Sequence, residues 1–330
     1  MPKIVVCDMT YEEAEFEKIC ALFRKMLPES EIRHYVPDEN YVQELADAEY
    51  ILTSYIPFGK KYFAAAKQLQ AISVTGTGYT NIDCAAAKKY KVAVYHVCDY
   101  CTQEVSIHAV AMMLALMRGL KKQDHHINRS LKWDYTYASV TVPYGKNVVI
   151  YGFGKIAKQT AATLTAFGMH VYVVSRHAGI EAVRRHGAEK IEPEDVAAVA
   201  DVIINHQSAD GLPVHYFDEA WFYSLKRRPL FINVGRGISV DENALCDALD
   251  AGLVSGAGID VLENENPDLK NCKLLHRGNV ILTPHSAFYS ERSMNELRTQ
   301  ACMNLSIICV ENRIMRGIVL CECRLPRNRG

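Results

Sequence analysis

Residues 148–177, VVIYGFGKIAKQTAATLTAFGMHVYVVSRH, decide the fold of this chain. Apolar runs at 148–151 and 171–174 predict two strands, and the stretch at about 155–167 between them predicts a helix. Glycines stand where this helix begins and where it ends, as a turn signal and a stop signal. A strand, a glycine turn and a helix in this order are the dinucleotide-binding fingerprint of a βαβ unit.

The glycine turn has the residues that a pyrophosphate site needs. Gly152 permits the tight turn, and Gly154 lets the backbone approach the phosphates. The helix N-terminus then offers unpaired N–H groups and the positive end of the helix dipole. Ala157 replaces the third glycine of the fingerprint, but alanine still allows the helix to pack closely on the strand. The segment is therefore predicted to bind a nucleotide.

The residues after the second strand indicate which cofactor is bound. NAD sites usually have an Asp or Glu there, which accepts hydrogen bonds from the ribose hydroxyls. This chain has Ser175, Arg176 and His177 instead. A hydroxyl and a guanidinium can bind a 2′-phosphate that a carboxylate would repel. We therefore expect NADP(H) to be preferred and NAD(H) to be possible. In the alternative, Arg176 is an ordinary surface arginine and the site takes NAD without an acidic anchor.

The composition is that of a globular protein with two domains. The chain has 330 residues, of which 49% are hydrophobic and 23% are charged, which is enough apolar material for two cores. The formal net charge of −1 and the lack of a long basic run argue against nucleic acid and membranes as partners. Because the first residues predict a strand and no apolar run could span a bilayer, we expect a cytoplasmic protein.

The eleven cysteines predict neither a metal site nor a disulfide framework. Most of them lie in apolar segments, where a thiol behaves as a small hydrophobic group. Cys98 and Cys101 form one C-x-x-C pair, but the second pair that a zinc site would need is missing. Cys101 is expected at a helix N-terminus, where thiols are more reactive. A redox role and a pair of ordinary reduced thiols both remain open.

The rest of the chain alternates between predicted strands and helices. Strands are predicted at residues 3–7, 31–36, 50–53, 71–74, 92–97, 201–205, 230–234, 256–259 and 280–282. Helices are predicted at residues 12–26, 84–90, 103–120, 218–225, 242–251 and 291–315, with a polar and aromatic passage at 125–144. This alternation is typical of an α/β protein with parallel sheets. We expect residues 1–100 and 287–330 to form a flavodoxin-like substrate (catalytic) domain, with a Rossmann dinucleotide-binding domain of residues 101–286 inserted into it.

Six segments of the chain occur in the order found in one enzyme family. They are TGTGYTNID (75–83), YCTQEVSIH (100–108), YGFGKIA (151–157), INVGRGISVDENAL (232–245), GAGIDVLENENP (256–267) and LTPHSAFYS (282–290). The chain therefore resembles the D-isomer-specific 2-hydroxyacid dehydrogenases, including phosphoglycerate dehydrogenase-like, carboxy-terminal-binding-protein-like and D-lactate-type members. The resemblance implies a two-domain fold, a homodimer formed through the nucleotide domain, and reversible reduction of a 2-oxo acid to a D-2-hydroxy acid.

Reduction of a 2-oxo acid needs a hydride donor, a cation for the carboxylate and an acid for the developing alkoxide. Arg236 follows a predicted strand, where open α/β sheets bind ligands, and its fork can bind a carboxylate while polarising the carbonyl. His285 matches the general acid/base of the family. Glu265 matches the carboxylate that orients this histidine, although Glu263 competes for the role. Taken alone, Arg236 would be a surface charge and His285 a loop residue without a role.

The resemblance and the fingerprint together give a set of binding residues. Those expected at the cofactor are Gly152, Phe153, Gly154, Lys155, Ile156, Ser175, Arg176, His206, Gln207, Val234, Asp260 and Thr102. Those expected at the substrate are Thr77 and Gly78, through their backbone N–H groups, and the side chains of Tyr55 and Tyr289. Asp260 would hydrogen bond the nicotinamide carboxamide; alternatively, it is a plain cap at the end of a strand.

The aromatic residues near the expected substrate site suggest a 2-oxo acid with an apolar or aromatic side chain. The same residues could instead be core, and a small polar substrate such as glyoxylate or hydroxypyruvate would then fit. A function of another class is also open. Corepressor-like proteins that sense NAD(P)(H) share this fold, keep similar residues and have little or no turnover.

Overall fold

The computed structural model describes residues 1–7, 13–36, 38, 40–208 and 213–311, and the chain divides into two compact units. The terminal unit consists of Met1–Tyr100 and of the chain from Ser290 onward, and the central unit is Cys101–Tyr289. The sequence placed the second boundary at position 287. The central unit of the structure ends at Tyr289, and the backbone N–H of Ala287 donates to Asp260 within this unit.

The terminal unit is built on a parallel sheet of five strands among its described residues. In chain order its first elements are β1 (Lys3–Cys7), α1 (Glu13–Met26), β2 (Glu31–Tyr35), α2 (Tyr41–Glu44), β3 (Tyr50–Thr53), α3 (Lys60–Ala65), β4 (Ala71–Val74), α4 (Cys84–Lys89) and β5 (Ala93–His96). The strand order β2-β1-β3-β4-β5 is the flavodoxin-like doubly wound order. Every residue of β3 and β4 is buried, since helices cover both faces of such a sheet.

The central unit is built on a parallel sheet of seven strands among its described residues. In chain order its elements are α5 (Thr102–Met117), α6 (Leu120–Ser130), β6 (Asn147–Tyr151), α7 (Lys155–Ala166), β7 (His170–Val174), α8 (Ile180–Arg184), β8 (Glu189–Lys190), α9 (Val196–Val199), β9 (Val202–Asn205), α10 (Glu219–Ser224), β10 (Leu230–Asn233), α11 (Glu242–Asp250), β11 (Gly256–Ile259) and β12 (Val280–Leu282). The last element, α12 (Glu291–Glu311), belongs to the terminal unit and packs on α1 and β4.

The strand order of the central sheet is β12-β11-β10-β9-β6-β7-β8. It is the Rossmann order extended by one strand, and the direction of winding reverses between β6 and β9. Ligands of such sheets bind outside the carboxyl ends of the strands at this reversal. The α/β class, with a Rossmann sheet and a flavodoxin-like sheet, is therefore confirmed.

Several short elements were not predicted, and the longest of them is α6. The passage at 125–144 was described only as polar and aromatic, whereas Leu120–Ser130 forms a helix. Gly119, with φ of +59°, separates this helix from α5, which ends at Met117 rather than near residue 120. No residue of α6 is buried. Its only large apolar residues are Leu120 and Ile127, which are too few for the repeated apolar pattern from which helices are recognised. The end of the predicted helix at 291–315 lies outside the described residues.

Candidate active site

Three predicted site residues follow three neighbouring strands of the central sheet. Gly258 of β11 pairs with Ile232 of β10 on one side and with Ile281 of β12 on the other. Because the strands are parallel, their carboxyl ends lie along one edge, about 4.8 Å from strand to strand. Arg236 follows β10, Asp260 follows β11 and His285 follows β12. The fold brings the loops that carry these residues to the same edge.

The loop of Arg236 is clamped between two other loops. A Cβ atom on Gly237 would overlap the carbonyl oxygen of Leu262, and one on Gly235 would lie 2.8 Å from the carbonyl oxygen of Gln207. Only glycine fits so close to a neighbouring backbone. The Arg236 side chain is partly exposed and donates to the Gly235 carbonyl at 2.9 Å. Within the described part of the chain, no carboxylate forms a salt bridge with this guanidinium.

His285 and Glu265 form a hydrogen-bonded pair. Nδ1 of His285 lies 2.9 Å from Oε2 of Glu265, and the imidazole is 37% exposed. Glu263, the other candidate for this role, contacts a different histidine, since its Oε2 lies 2.9 Å from Nε2 of His215. Among the residues that the structure describes, Nε2 of His285 has no hydrogen-bond partner. This nitrogen is therefore available to a ligand.

Asp260 holds the loop that carries His285. The Asp260 carboxylate is buried. Its Oδ1 accepts from the N–H of Ser286 at 2.9 Å and from the hydroxyl of Thr283 at 2.5 Å. Its Oδ2 accepts from the N–H of Ala287 at 3.1 Å. The Asp260 carbonyl also accepts from the N–H of His285 at 2.7 Å. His285 adopts a φ of +48°, which is uncommon for a residue other than glycine. Asp260 thus caps the end of β11 and fixes the backbone of the histidine.

The glycine turn after β6 fits a dinucleotide. Gly152 has φ of +90°, and a Cβ atom there would lie 3.1 Å from the carbonyl oxygen of His206. Gly154 precedes α7 without a side-chain cap, and a Cβ atom there would meet nothing within 4 Å. The first N–H groups of any α-helix, and so of α7, have no acceptor within the helix. An open helix N-terminus at the reversal of the sheet is suited to a pyrophosphate.

The loop after β9 lies beside this turn. Nε2 of His206 is 3.0 Å from Oγ1 of Thr160 in α7, and burial lowers the pKa of His206 to about 3, so its imidazole is neutral at neutral pH. The N–H of Gln207 donates to Oδ1 of Asn205 at 3.0 Å. The buried Oε1 of Gln207 has no hydrogen-bond partner among the described residues. A buried oxygen without a partner is a place where a ligand can supply the missing donor.

The other predicted cofactor residues also belong to the central unit. Ser175 follows β7 and accepts from the N–H of Ala178 at 3.2 Å, while the Arg176 side chain is exposed. Phe153 and Val234 are buried at the ends of β6 and β10. Thr102 is the first residue of α5 and is partly exposed. Their roles toward a cofactor stay predictions.

The predicted substrate residues are divided between the two units. Thr77 and Gly78 are exposed after β4, and Tyr55 is 67% exposed after β3. Burial lowers the pKa of His96 at the end of β5, and an interaction with the backbone of Thr77 opposes that shift. Tyr289 lies in the central unit and is 68% exposed. Binding of substrate by these residues stays a prediction.

The two cysteines of the C-x-x-C pair have different surroundings. The Sγ atom of Cys98 is partly buried and lies 3.6 Å from Nε2 of His96. Cys101 is buried and precedes α5 without capping it through its side chain. Neither forms a disulfide within the described part of the chain. A redox role for the pair stays a prediction.

The sequence reasoning did not single out the buried polar residues that support the arginine loop. Asn205 and Asn233 are buried at the last positions of β9 and β10, and Ser239 is buried two residues after Gly237. A signal was available, because the strands read VIIN and LFIN and each ends in a single polar residue. Buried amides of this kind need partners and therefore mark a hydrogen-bond network.

The described residues contain no helix with the length and apolar character needed to cross a bilayer, and the cytoplasmic location stays a prediction. No group of three or more His, Cys, Asp or Glu side chains in the described part of the chain is placed to hold a metal ion.

The chain is similar to a known family and to several characterised proteins. Residues 110–287 match the family described as D-isomer specific 2-hydroxyacid dehydrogenase, NAD binding domain. A glyoxylate reductase from Pyrococcus furiosus is 28% identical over 272 residues, which cover 79% of this chain and 80% of that protein. The chloroplastic D-3-phosphoglycerate dehydrogenase 3 of Arabidopsis thaliana is 31% identical over 237 residues, which cover 71% of this chain but only 40% of that protein.

Solved structures share the fold of the chain. The D-lactate dehydrogenase from Aquifex aeolicus, complexed with NAD and lactic acid, superimposes with a TM-score of 0.81 and 24% sequence identity. The superposition covers 92% of this chain and 95% of that one. At this identity the similarity concerns the fold.

Proposed function

This chain belongs to the family of D-isomer-specific 2-hydroxyacid dehydrogenases, and on that premise we propose that Arg236, His285 and Glu265 carry out its chemistry. As an NAD(P)-dependent oxidoreductase of this family, the protein interconverts a 2-oxo acid and a 2-hydroxy acid. The observation that carries the assignment of residues is the His285–Glu265 pair, whose two loops follow β12 and β11 at the sheet edge where the loop of Arg236 follows β10.

Arg236 binds the substrate and polarises it. Its guanidinium has no carboxylate partner among the described residues, and a substrate carboxylate can provide one through two parallel hydrogen bonds. The same fork then draws electron density toward the oxygen of the neighbouring 2-oxo group. A bound reduced nicotinamide supplies the hydride. The two glycines beside Arg236 keep its backbone fixed while the charge on the substrate changes.

His285 provides the proton. Because Glu265 occupies Nδ1, the proton given to the developing alkoxide comes from Nε2. The carboxylate orients the ring through its hydrogen bond to Nδ1. In the reverse direction, Nε2 takes the proton from the hydroxyl group of the 2-hydroxy acid. The product of reduction is the D-isomer, as the family name states.

The substrate is a 2-oxo acid with an apolar or aromatic side chain. The Phe288 ring lies edge-on to the His285 ring with centroids 6.0 Å apart, and the neighbouring Tyr289 ring is exposed. Aromatic rings beside the reacting group favour an apolar substituent on the substrate. A panel of 2-oxo acids tests this proposal. The highest kcat/KM is expected for phenylpyruvate or a branched-chain 2-oxo acid, and a preference for glyoxylate or hydroxypyruvate would contradict it.

NADP(H) is the preferred cofactor, with NAD(H) accepted more weakly. Ser175 and the exposed Arg176 follow β7, and neither repels a 2′-phosphate. The test compares kcat/KM for NADPH and NADH with one 2-oxo acid. A clear preference for NADH would contradict the proposal.

A second copy of the chain is the partner, bound through the central unit. The segment at 131–144 exposes several large apolar side chains, among which Leu131, Trp133 and Tyr135 are 89%, 92% and 89% exposed. Exposed apolar residues that are grouped in this way mark an interaction surface. Sedimentation is expected to give a dimer, and serine at Trp133 and Tyr135 is expected to give monomers. A monomer in the unsubstituted protein would contradict the proposal.

A sensor with little turnover is the alternative function. Such a protein would bind NAD(P)H through the same glycine turn but would not reduce any 2-oxo acid. A screen of the full chain with both cofactors and the panel of 2-oxo acids separates the two functions. Enzymatic oxidation of NAD(P)H that depends on a 2-oxo acid supports the dehydrogenase. Tight NAD(P)H binding without turnover on any member would favour the sensor.

A further inference from the structure

A buried hydrogen-bond network lies under the loop of Arg236. Asn205, Asn233 and Ser239 each have no more than 2% of their surface exposed. Nδ2 of Asn205 donates to Oδ1 of Asn233 and to Oγ of Ser239, both at 3.0 Å. The three side chains come from the end of β9, the end of β10 and the turn after Arg236. One amide group therefore joins two strands and a loop.

The network ends on the carbonyl oxygen of Arg236. Oγ of Ser239 donates to this oxygen at 2.6 Å, and Nδ2 of Asn233 donates to it at 3.3 Å. The backbone N–H of Ser239 also donates to it, at 3.3 Å. A carbonyl with three donors has a strongly restricted orientation. Because the side chain of Arg236 starts from the same peptide, that orientation also restricts where the guanidinium can lie.

The same amide pair holds the loops on both sides. Oδ1 of Asn205 accepts from the N–H of Gln207 at 3.0 Å, and Oδ1 of Asn233 accepts from the N–H of Gly235 at 3.1 Å. Both oxygens and both nitrogens of the two amides are thus used. A buried polar network in which every member has its partners enforces one geometry, because any displacement leaves a buried group unpaired.

We propose that Ser239 is a positioning residue, which acts with Asn205 and Asn233 to direct the Arg236 guanidinium toward the carboxylate of the substrate. This inference rests on the proposed role of Arg236. Ser239 does not touch the substrate. Its hydroxyl is the node between Asn205 and the arginine carbonyl and makes the shortest of the three contacts with that carbonyl, so its removal loosens the arginine loop and leaves the two longer contacts, both at 3.3 Å.

A double-mutant cycle tests whether Ser239 acts through Arg236. The four proteins are the unsubstituted chain, Ser239→Ala, Arg236→Gln and the double variant. The measured quantity is the Kd of oxamate, an anionic analogue of a 2-oxo acid, for each protein saturated with reduced cofactor. Two residues that act on a ligand independently have additive effects on its binding free energy, whereas coupled residues do not.

We expect Ser239→Ala to raise the Kd of oxamate about tenfold when Arg236 is present and to have no further effect in Arg236→Gln. The same factor in both backgrounds would overturn the inference, and so would no effect in either. The Kd of the reduced cofactor is expected to stay within about twofold, because the node lies on the arginine side of the network. If Arg236→Gln itself leaves oxamate binding unchanged, it is the proposed function that fails.

Two further variants separate this role from a general loss of stability. Ser306→Ala removes a buried hydroxyl of α12 that donates to the carbonyl of Cys302, and it should leave the Kd of oxamate unchanged. If Ser239→Ala does not fold, Ser239→Cys has nearly the same volume and keeps a weak donor. Ser239→Cys should then raise the Kd of oxamate only when Arg236 is present. An equal rise in the Arg236→Gln background would overturn the inference.

Discussion

Nδ1 of His285 lies 2.9 Å from Oε2 of Glu265, whereas Glu263, two residues earlier, is bound to His215. The same short segment after β11 thus provides two carboxylates with separate partners. One of them orients the proposed proton donor, and the other ties the segment to the turn before α10. The two glutamates form a matched pair for substitution.

Glu265→Gln is expected to lower kcat about tenfold, because an uncharged amide oxygen makes a weaker hydrogen bond to Nδ1 than a carboxylate and orients the ring less firmly. The His285–Glu265 pair is partly exposed, so the loss should lie at the lower end of the range for a hydrogen bond to a charged group. Steady-state kinetics with a 2-oxo acid and the reduced cofactor measure the change. Glu263→Gln is the control and should leave kcat nearly unchanged. Equal losses in the two variants would contradict the assignment of Glu265.

Gly154→Ala is expected to separate cofactor binding from stability. Its Cβ atom would lie in open space, so the melting temperature should change little. The methyl group would, however, occupy the approach to the N-terminus of α7, and the Kd of NAD(P)H should rise at least about tenfold. Gly237→Ala is the contrasting variant, because its Cβ atom overlaps the Leu262 carbonyl and should prevent stable folding. Unchanged cofactor affinity in a folded Gly154→Ala would contradict the pyrophosphate site.

The strands could be predicted from the sequence wherever apolar residues run without interruption. The bounds of β1, β3, β4, β11 and β12 coincide with the predicted runs. A parallel strand that is covered on both faces reads as an uninterrupted apolar run, so it can be recognised from its own residues alone. Helix α6 could not be found in this way, because it contains only two large apolar residues, Leu120 and Ile127.

The site could be predicted only as a set of motifs. The order of the six segments placed Arg236, Glu265 and His285 in the sequence, but their geometry depends on contacts between distant segments. Asp260 binds the histidine loop across 23 to 27 residues, and these contacts impose the positive φ of His285. The role of Asn233 likewise needs Asn205, which lies 28 residues away. No local pattern contains such pairs.

Arg176→Ala is expected to weaken NADPH binding about tenfold and to leave NADH binding unchanged, because only NADPH has the 2′-phosphate that the guanidinium can bind. Fluorescence titration of the full chain with each cofactor measures both constants. Arg184→Ala removes another exposed arginine, which is paired with Glu181, and serves as the control. A parallel loss of both cofactors in Arg176→Ala would show that the residue does not read the phosphate.

His215 is expected to make stability depend on pH. Its hydrogen bond to Glu263, and the charges of Glu263, Asp241 and Asp218, raise the pKa of His215 above the ordinary value of 6.5. The protonated histidine therefore stabilises the folded state fully below pH 6.5, and this contribution is lost as the pH rises through the raised pKa. The side chain is partly exposed, so the contribution should be below about 1 kcal/mol.

Melting temperatures between pH 6 and pH 9 measure this contribution. His215→Gln should melt lower than the unsubstituted chain near pH 6. The difference should shrink toward pH 9, where the histidine of the unsubstituted chain is neutral. His125→Gln, on the exposed helix α6, is the control and should show no such trend. A difference that grows as the pH rises would contradict the raised pKa.

The central claim is that Arg236 binds the carboxylate of a 2-oxo acid that His285 protonates, and the most direct measurement is kcat/KM of Arg236→Ala at saturating cofactor. Two charge-assisted hydrogen bonds of about 1.5–3 kcal/mol each are lost, so kcat/KM should fall by about 10²- to 10⁴-fold. The Kd of NAD(P)H should stay within about twofold, and Arg184→Ala should behave like the unsubstituted chain. Undiminished reduction of the 2-oxo acid by Arg236→Ala would contradict the claim.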